Sequence, residues 1–248
     1  MGYRNHHSTF GAADGTPLVV SSRFGELNGH TLDGYKDTGS YTGYAALNQI
    51  LSMAPSQVLS TVRDATLLGR GGAGFPAGVK WGFLPPDVQP RYIVVNGDES
   101  EPGTYKDRLL MERDPHQLIE GCLIAAYAVG ASQVFLYVRG EMAHAQERIA
   151  AALNEAYAAG LVGRNIAGTD YSVDIVMAWG AGAYIVGEET ALIESLEGER
   201  GMPRLKPPYF PAAKGLYMAP TIVNNVETLS NLPWLFNHGV ENYLKTGT

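Results

Sequence analysis

Between residues 91 and 199, short apolar runs alternate with longer helical patterns, and this alternation restricts the fold more than any other feature. "RYIVVN" (91–96), "QVFLYVRG" (133–140) and "YSVDIVMAW" (171–179) are rich in β-branched and aromatic residues, at strand length. Between them lie a helical pattern over Pro115–Val129 and another in "AHAQERIAAALNEAYAAG" (143–160). A third helical stretch, "EETALIESLEGE", follows the last run. Strands separated by helices of this length predict an α/β domain with a mostly parallel sheet. Ahead of it, "YTGYAALNQILSMAPSQVLSTVRDATLL" predicts two short amphipathic helices interrupted near Pro55. Residues 1–40 are polar and glycine-rich and predict a loosely organised N-terminal extension. Residues 41–248 then form the α/β domain, with no internal repeat or clear linker. His6, His7 and His30 lie in the extension and suit solvated positions better than a metal site.

The composition excludes several function classes. A net charge of −7 argues against nucleic acid or an anionic membrane as main partner, since both favour a basic surface. A lone cysteine, Cys122, excludes internal disulfides and any complete thiolate cluster within the chain. Its surroundings, "LIEGCLIAAYAVGA", suit a small buried hydrophobe, and the stretch is too short to span a bilayer. The first residues lack the apolar core of a signal peptide. These features predict a cytoplasmic protein with no membrane insertion.

Three loops carry candidate chemistry. "LLGRGGAGFPAG" contains Gly69-x-Gly71-x-x-Gly74, the spacing of a dinucleotide fingerprint. It follows a helical pattern and precedes the first strand, and Pro76 comes two residues after Gly74. A standard Rossmann loop is therefore rejected. Its glycines, Gly72 included, still allow close backbone approach to an anion, and Arg70 and Lys80 add positive charge. Phe75 and Phe83 suit stacking on a planar heterocycle; a mobile connector with two core phenylalanines is the alternative. "NGDESEPG" places Asn96, Asp98, Glu99 and Glu101 directly after a strand, where they suit sugar hydroxyls and amide donors. A divalent metal site and a solvated acidic turn are the rivals there.

The third loop, "GAGAYIVG", holds Gly180, Gly182 and Gly187 ahead of a helix whose dipole suits a phosphate. Ordinary capping explains Glu188 and Glu189 equally well. Further on, the paired amides Asn224 and Asn225 in "TIVNNVETL" suit the imide edge or ribityl chain of a flavin, with turn formation as the alternative. No nucleophile motif is present, so the set fits a cofactor that brings its own reactivity, and hydride transfer fits best.

Four stretches, in order and spacing, resemble one family: "LLGRGGAGFPAGVKWGF", "NGDESEPGTYKDRLLMERDPHQLIEG", "GAGAYIVGEETALIESLEGERGMPRLKPP" and "PTIVNNVETLSNLP". This is the NADH- and FMN-binding subunit of respiratory complex I, with its relatives in soluble NAD-linked hydrogenases and formate dehydrogenases. The resemblance implies a Rossmann-like but non-standard fold that takes hydride from NADH onto FMN and releases electrons singly towards iron–sulfur clusters and quinone. It implies that Gly69, Arg70, Gly71 and Lys80 hold FMN, with Gly72 and Gly74 of the same loop among the cofactor-binding residues and Asn96, Asp98 and Glu99 beside its ribityl and ring. Tyr184, Gly187, Glu188 and Glu189 would line the flavin's other side, with Val223, Asn224, Asn225 and Thr228 at its phosphate and ribityl end. Phe75 and Phe83 would stack on the NADH adenine, while Glu101 and Lys206 contact the nucleotide. Glu101 and Glu189 would tune the nicotinamide pocket electrostatically.

Two departures stand out. "KPPYFPA" carries one aromatic more than the family's "KPPFPA", so either Tyr209 or Phe210 takes the adenine-side position. The family's ubiquitin-like domain and its [4Fe–4S] cysteines are absent, which suggests a fragment of a longer subunit. Implied partners are the other peripheral-arm subunits, especially those with [2Fe–2S] and multiple clusters, at the inner face of the cell membrane. Two other readings stay open: a diaphorase subunit of a soluble hydrogenase or formate dehydrogenase, and a non-catalytic nucleotide-binding or assembly module.

Overall fold

A computed structural model describes residues 16–246. His6 and His7 lie outside the described residues. Four short helices come first: α1 (Leu32–Asp37), α2 (Ala45–Ile50), α3 (Pro55–Asp64) and α4 (Ala77–Trp81). Strand β1 (Tyr92–Gly97) leads through the acidic loop into α5 (Lys106–Arg113) and α6 (Pro115–Val129). Then follow β2 (Gln133–Val138), α7 (Ala143–Ala158), β3 (Asp174–Trp179) and α8 (Glu189–Leu196). The chain closes with α9 (Pro211–Lys214), β4 (Thr221–Asn225), α10 (Val226–Ser230), α11 (Leu232–His238) and α12 (Val240–Thr246).

The sheet is wholly parallel in the order β3-β2-β1-β4. It grows outward from β1 to β3 and then returns to place β4 on the other side of β1. Chain direction across the sheet therefore reverses between β1 and β4, and a crevice opens at their carboxyl ends. The register there sets Asn96 beside Asn225 and Val95 beside Asn224.

Alternation along the strands divides the core. Ile93, Val95, Val134 and Leu136 point into the larger cluster, packed under α6 and its neighbours. Val94, Tyr137 and Val223 point the other way, against Leu192 and Ile193 of α8. Helix α6 is almost wholly buried: Leu118, Ile119, Leu123 and Ile124 have no exposed surface. Each such side chain contributes about 1.5–3 kcal/mol. Asp114 starts this helix by accepting from Gln117 N at 3.3 Å, with Pro115 in its first turn, and left-handed Gly130 ends it. Cys122 is buried within it, and burial pushes its thiol pKa up, so it is an inert core residue.

Some expectations need correction. The acidic segment "GDESEPGTYKDR" (97–108), expected to be loop up to the helix at Pro115, is not loop throughout, because "KDRLLMER" forms α5. The stretch around Asn224 and Asn225 is not a turn: it is β4, entering α10 directly. The segment from residue 17 to α1, expected to be loosely organised, packs onto the domain through the fully buried Arg23. His30 is half-buried rather than solvated, and burial lowers its pKa. Among the described residues, no helix is long and apolar enough to cross a membrane.

Candidate functional site

The crevice at the switch point widens into two adjoining cavities of about 720 Å³ and 550 Å³. Both are lined by Gly71, Asn96, Gly187, Glu188 and Asn225, which form the waist between them.

The opening glycine loop is the roof. Gly69 N donates to Phe75 O at 2.9 Å and Ala77 N to Leu67 O at 2.8 Å, so the loop is closed at its base and is not a slack connector. Arg70 N donates to Thr228 Oγ1 at 2.9 Å, tying the roof to α10. A Cβ on Gly71 would lie 3.4 Å from Asn225 Cβ, whereas around Gly72 and Gly74 there is open space. Both of the latter have positive φ, which favours glycine. Bare backbone thus faces the cavity.

In the larger cavity, Phe75, Phe83 and Phe210 are 46%, 59% and 52% exposed, which rejects the core-phenylalanine reading. The Phe75 and Phe83 rings stand 5.9 Å apart, tilted by 46°. Phe210 lines this cavity, whereas Tyr209 lines neither cavity. Lys80 and Lys206 supply the cations. Lys206 Nζ is engaged with Glu188 Oε1 at 2.9 Å and Glu189 Oε1 at 2.7 Å. Lys80 makes no ion pair among the described residues, and burial lowers its pKa below the usual lysine range. Gly69, Val223, Asn224 and Thr228 complete this wall.

Asn224 has an unusual status. It is 4% exposed, and its Oδ1 accepts from Trp81 Nε1 at 3.5 Å. Its Nδ2 is buried without a hydrogen-bond partner among the described residues. An unpartnered buried donor costs about 1–3 kcal/mol, so its retention in a cavity wall points to an acceptor supplied by a ligand.

The smaller cavity is acidic. Arg70, Gly72, Asp98, Glu99, Glu101 and Tyr184 line it. Tyr184 donates to Glu101 Oε2 at 2.5 Å, joining the loops after β1 and β3 across the mouth. Burial raises the Asp98 pKa, and its Oδ2 accepts from Ser100 Oγ at 2.8 Å.

Several polar side chains expected to face a ligand are committed to the protein. Asn96 Nδ2 donates to Gly187 O at 2.9 Å, and its Oδ1 accepts from Asp98 N at 3.1 Å. Glu99 accepts from Asp107 N at 2.9 Å and Arg108 N at 3.0 Å, so it caps α5. Glu188 likewise caps α8, accepting from Thr190 N and Ala191 N, each at 2.9 Å. The positive end of α8 therefore meets a carboxylate of its own chain, contrary to the expected phosphate site. Both ends of the Asn225 amide are also bonded within the protein. Gly180 and Gly182 do not frame the cavity: a Cβ on them would meet Tyr137 at 2.9 Å and Glu141 at 2.6 Å. Gly187 does line it. The metal rival for the acidic loop finds no support, since no group of three or more potential metal-ligating side chains occurs among the described residues.

Sequence reasoning missed Lys106, Asp107 and Trp81. The first two lie in the smaller cavity and Trp81 is buried behind Asn224. Lys106 and Asp107 follow "NGDESEPG" by three residues, so the signal was present as two adjacent charges just past that loop.

Comparisons with known proteins agree with this geometry. The Nuo51 FMN-binding domain family matches residues 62–234. An NADH-quinone oxidoreductase subunit of Aquifex aeolicus is 52% identical over 218 residues, covering 88% of this chain and 50% of that protein. Its counterpart in Rhodobacter capsulatus is 50% identical over 215 residues, covering 86% of this chain and 49% of that one. The chain thus spans about half the length of the curated relatives it matches. A crystal structure of an NAD+-reducing [NiFe]-hydrogenase in the air-oxidised state superposes with a TM-score of 0.70 at 40% identity, covering 86% of this chain and 36% of that one. With its all-parallel sheet, its closed glycine roof and this match over most of its length, the chain belongs to the Nuo51 FMN-binding domain family.

Proposed function

We propose that this chain holds FMN in the switch-point crevice and admits NADH beside it, acting as the flavin unit of an NADH dehydrogenase. The observation that carries the reading is the partnerless Asn224 Nδ2 in a wall roofed by the bare backbone of Gly71, Gly72 and Gly74. FMN, when bound, supplies a two-electron acceptor for hydride and a one-electron donor to an outside acceptor. The residues present fit it. Asn224 offers a donor to a ligand oxygen, and Lys80 adds a buried ammonium that makes no ion pair among the described residues and whose charge nearby Glu189 favours. The glycine roof lets main-chain N–H groups approach an anion.

The remaining residues divide by lobe. Phe75, Phe83 and Phe210 give the larger cavity an aromatic wall suited to an adenine. Lys206, braced by Glu188 and Glu189, stands at the same wall within reach of a nucleotide phosphate. Glu101 and Glu189 place carboxylates where a nicotinamide that gains or loses positive charge would feel them, so they bias binding between its redox states. The acceptor we assign is an iron–sulfur subunit of a complex I peripheral arm. A diaphorase unit of a soluble hydrogenase is the second reading, favoured by the likeness to the NAD+-reducing [NiFe]-hydrogenase.

The test is an FMN titration of the purified chain, followed by quenching of flavin fluorescence. One site with a Kd of about 1 μM or tighter is the expected result, roughly 8 kcal/mol of binding free energy. A folded chain that leaves FMN fluorescence unchanged contradicts the reading.

A further inference from the structure

Asp107 is a buried carboxylate, 3% exposed, that nothing in the functional reading uses. It lies in the first turn of α5, yet its bonds reach across the crevice. Its Oδ2 accepts from Asn225 Nδ2 at 2.6 Å, and its Oδ1 accepts from Glu227 N at 3.2 Å. The Lys106 ammonium donates to Asp107 Oδ1 at 2.8 Å and Asn225 Oδ1 at 3.2 Å, and it pairs with Glu227 Oε2 at 3.0 Å. From the other side, Glu99 holds the N–H groups of Asp107 and Arg108.

The loop after β1 and the β4–α10 junction are thereby joined, and these are the two walls of the switch-point crevice. The connection extends to the roof by two routes. Asn225 is the nearest neighbour a Cβ on Gly71 would meet, at 3.4 Å. Helix α10, held through Glu227 N, carries the Thr228 hydroxyl that binds Arg70 N. Lys106 is not a free cation for a phosphate, because two carboxylates against one ammonium leave its surroundings net negative.

We propose that Asp107 and Lys106 are positioning residues for the bound flavin nucleotide, a neutralised staple that fixes Asn225 and, through it, Asn224 and the glycine roof. The inference rests on the FMN reading above. Asp107 is the acceptor that holds the geometry. Lys106 keeps that acceptor ionised in a buried place: burial raises the Asp107 pKa and the adjacent ammonium lowers it. Glu99 pushes its pKa the same way as burial, and Glu227 shares the same ammonium, which makes the ammonium necessary.

The test measures FMN affinity of the whole chain between about pH 6 and 8.5 for wild type, Asp107→Asn, Lys106→Met and the double variant. Each is read as a ratio to wild type, since a phosphate monoester itself titrates near about pH 6. Asp107→Asn is expected to weaken FMN binding about tenfold across the range, the loss of one charge-assisted anchor. For Lys106→Met, the ratio is expected to be small at high pH and to rise as pH falls, because Asp107 then takes up a proton and releases its grip. In the double variant that pH trend is expected to vanish. A role in fold stability alone would not produce a pH trend that Asp107→Asn abolishes. Wild-type affinity in Asp107→Asn, or a flat ratio in Lys106→Met, overturns the staple while leaving the FMN reading intact. If Asp107→Asn does not fold, the Lys106→Met trend alone decides. Failure of wild type to bind FMN overturns the functional reading and the staple together.

Discussion

Replacing Arg23 by alanine is expected to cost about 3–5 kcal/mol of folding stability, the loss typical of breaking one side of a buried ion pair. Arg23 and Asp114 are both fully buried and meet at 3.4 Å. The guanidinium also donates to Tyr41 O at 2.6 Å and lies 4.3 Å and 4.4 Å from the ring centres of Tyr35 and Tyr41. Removing it strips two cation–π contacts and the bond to Tyr41 O, and leaves the Asp114 carboxyl that caps α6 without its buried partner.

The pH dependence follows from that carboxylate. Burial pushes the Asp114 pKa up to about 7, and Arg23 beside it holds it down. Its folded pKa lies above the unfolded value near about 3.9, so the folded state binds more protons between the two values. This group's contribution to stability is therefore full at low pH and lost as pH rises through the folded pKa. Without Arg23 that pKa rises further, so the loss continues beyond about pH 7 in the variant after it has ended in wild type. Denaturant unfolding is expected to show a deficit that stays level between about pH 5 and 7 and widens above. A deficit under about 1 kcal/mol, or one that shrinks at alkaline pH, contradicts the assignment.

Asn224→Leu is expected to separate binding from stability. The variant removes an unpartnered Nδ2 and leaves Trp81 Nε1 without its acceptor, so one orphaned donor replaces another. The melting temperature is expected to move little, while FMN affinity falls at least about tenfold, since a ligand oxygen loses its donor in a dry wall. Equal affinity in the two proteins would remove Asn224 from the site. A large loss of stability would make it a core residue instead.

The contrast between Asn224 and Asn225 marks the limit of what the sequence conveys. The two amides are neighbours of one type, and only their bonds distinguish them: one has a bare donor, and the other is bonded at both ends. Partner identity is a tertiary property. The same holds for Glu99 and Glu188, whose charges read as ligand groups but serve helix starts. Strands β1 and β2 were legible because their apolar runs are continuous, as expected for strands buried on both faces. Strand β3 was legible because its run is rich in β-branched and apolar residues, although Val176 and Trp179 at this edge are exposed. Strand β4 was not, since "TIVNN" is short and ends in two polar residues. Helix α5 was hidden because its cap, Glu99, stands eight residues before Asp107 rather than at its start. Arg23 is an isolated cation in a polar segment, and nothing local reveals that it is buried. The glycine roof was located by its spacing, and its placement before β1 was enough to reject the standard loop. Its position over β4 had to come from the fold.

The most direct measurement is a visible spectrum of the purified chain with FMN bound, before and after NADH is added without oxygen. The predicted result is flavin absorbance that stays with the protein through gel filtration and bleaches on adding NADH. A chain that retains FMN in its oxidised colour after NADH is added contradicts the hydride-accepting role.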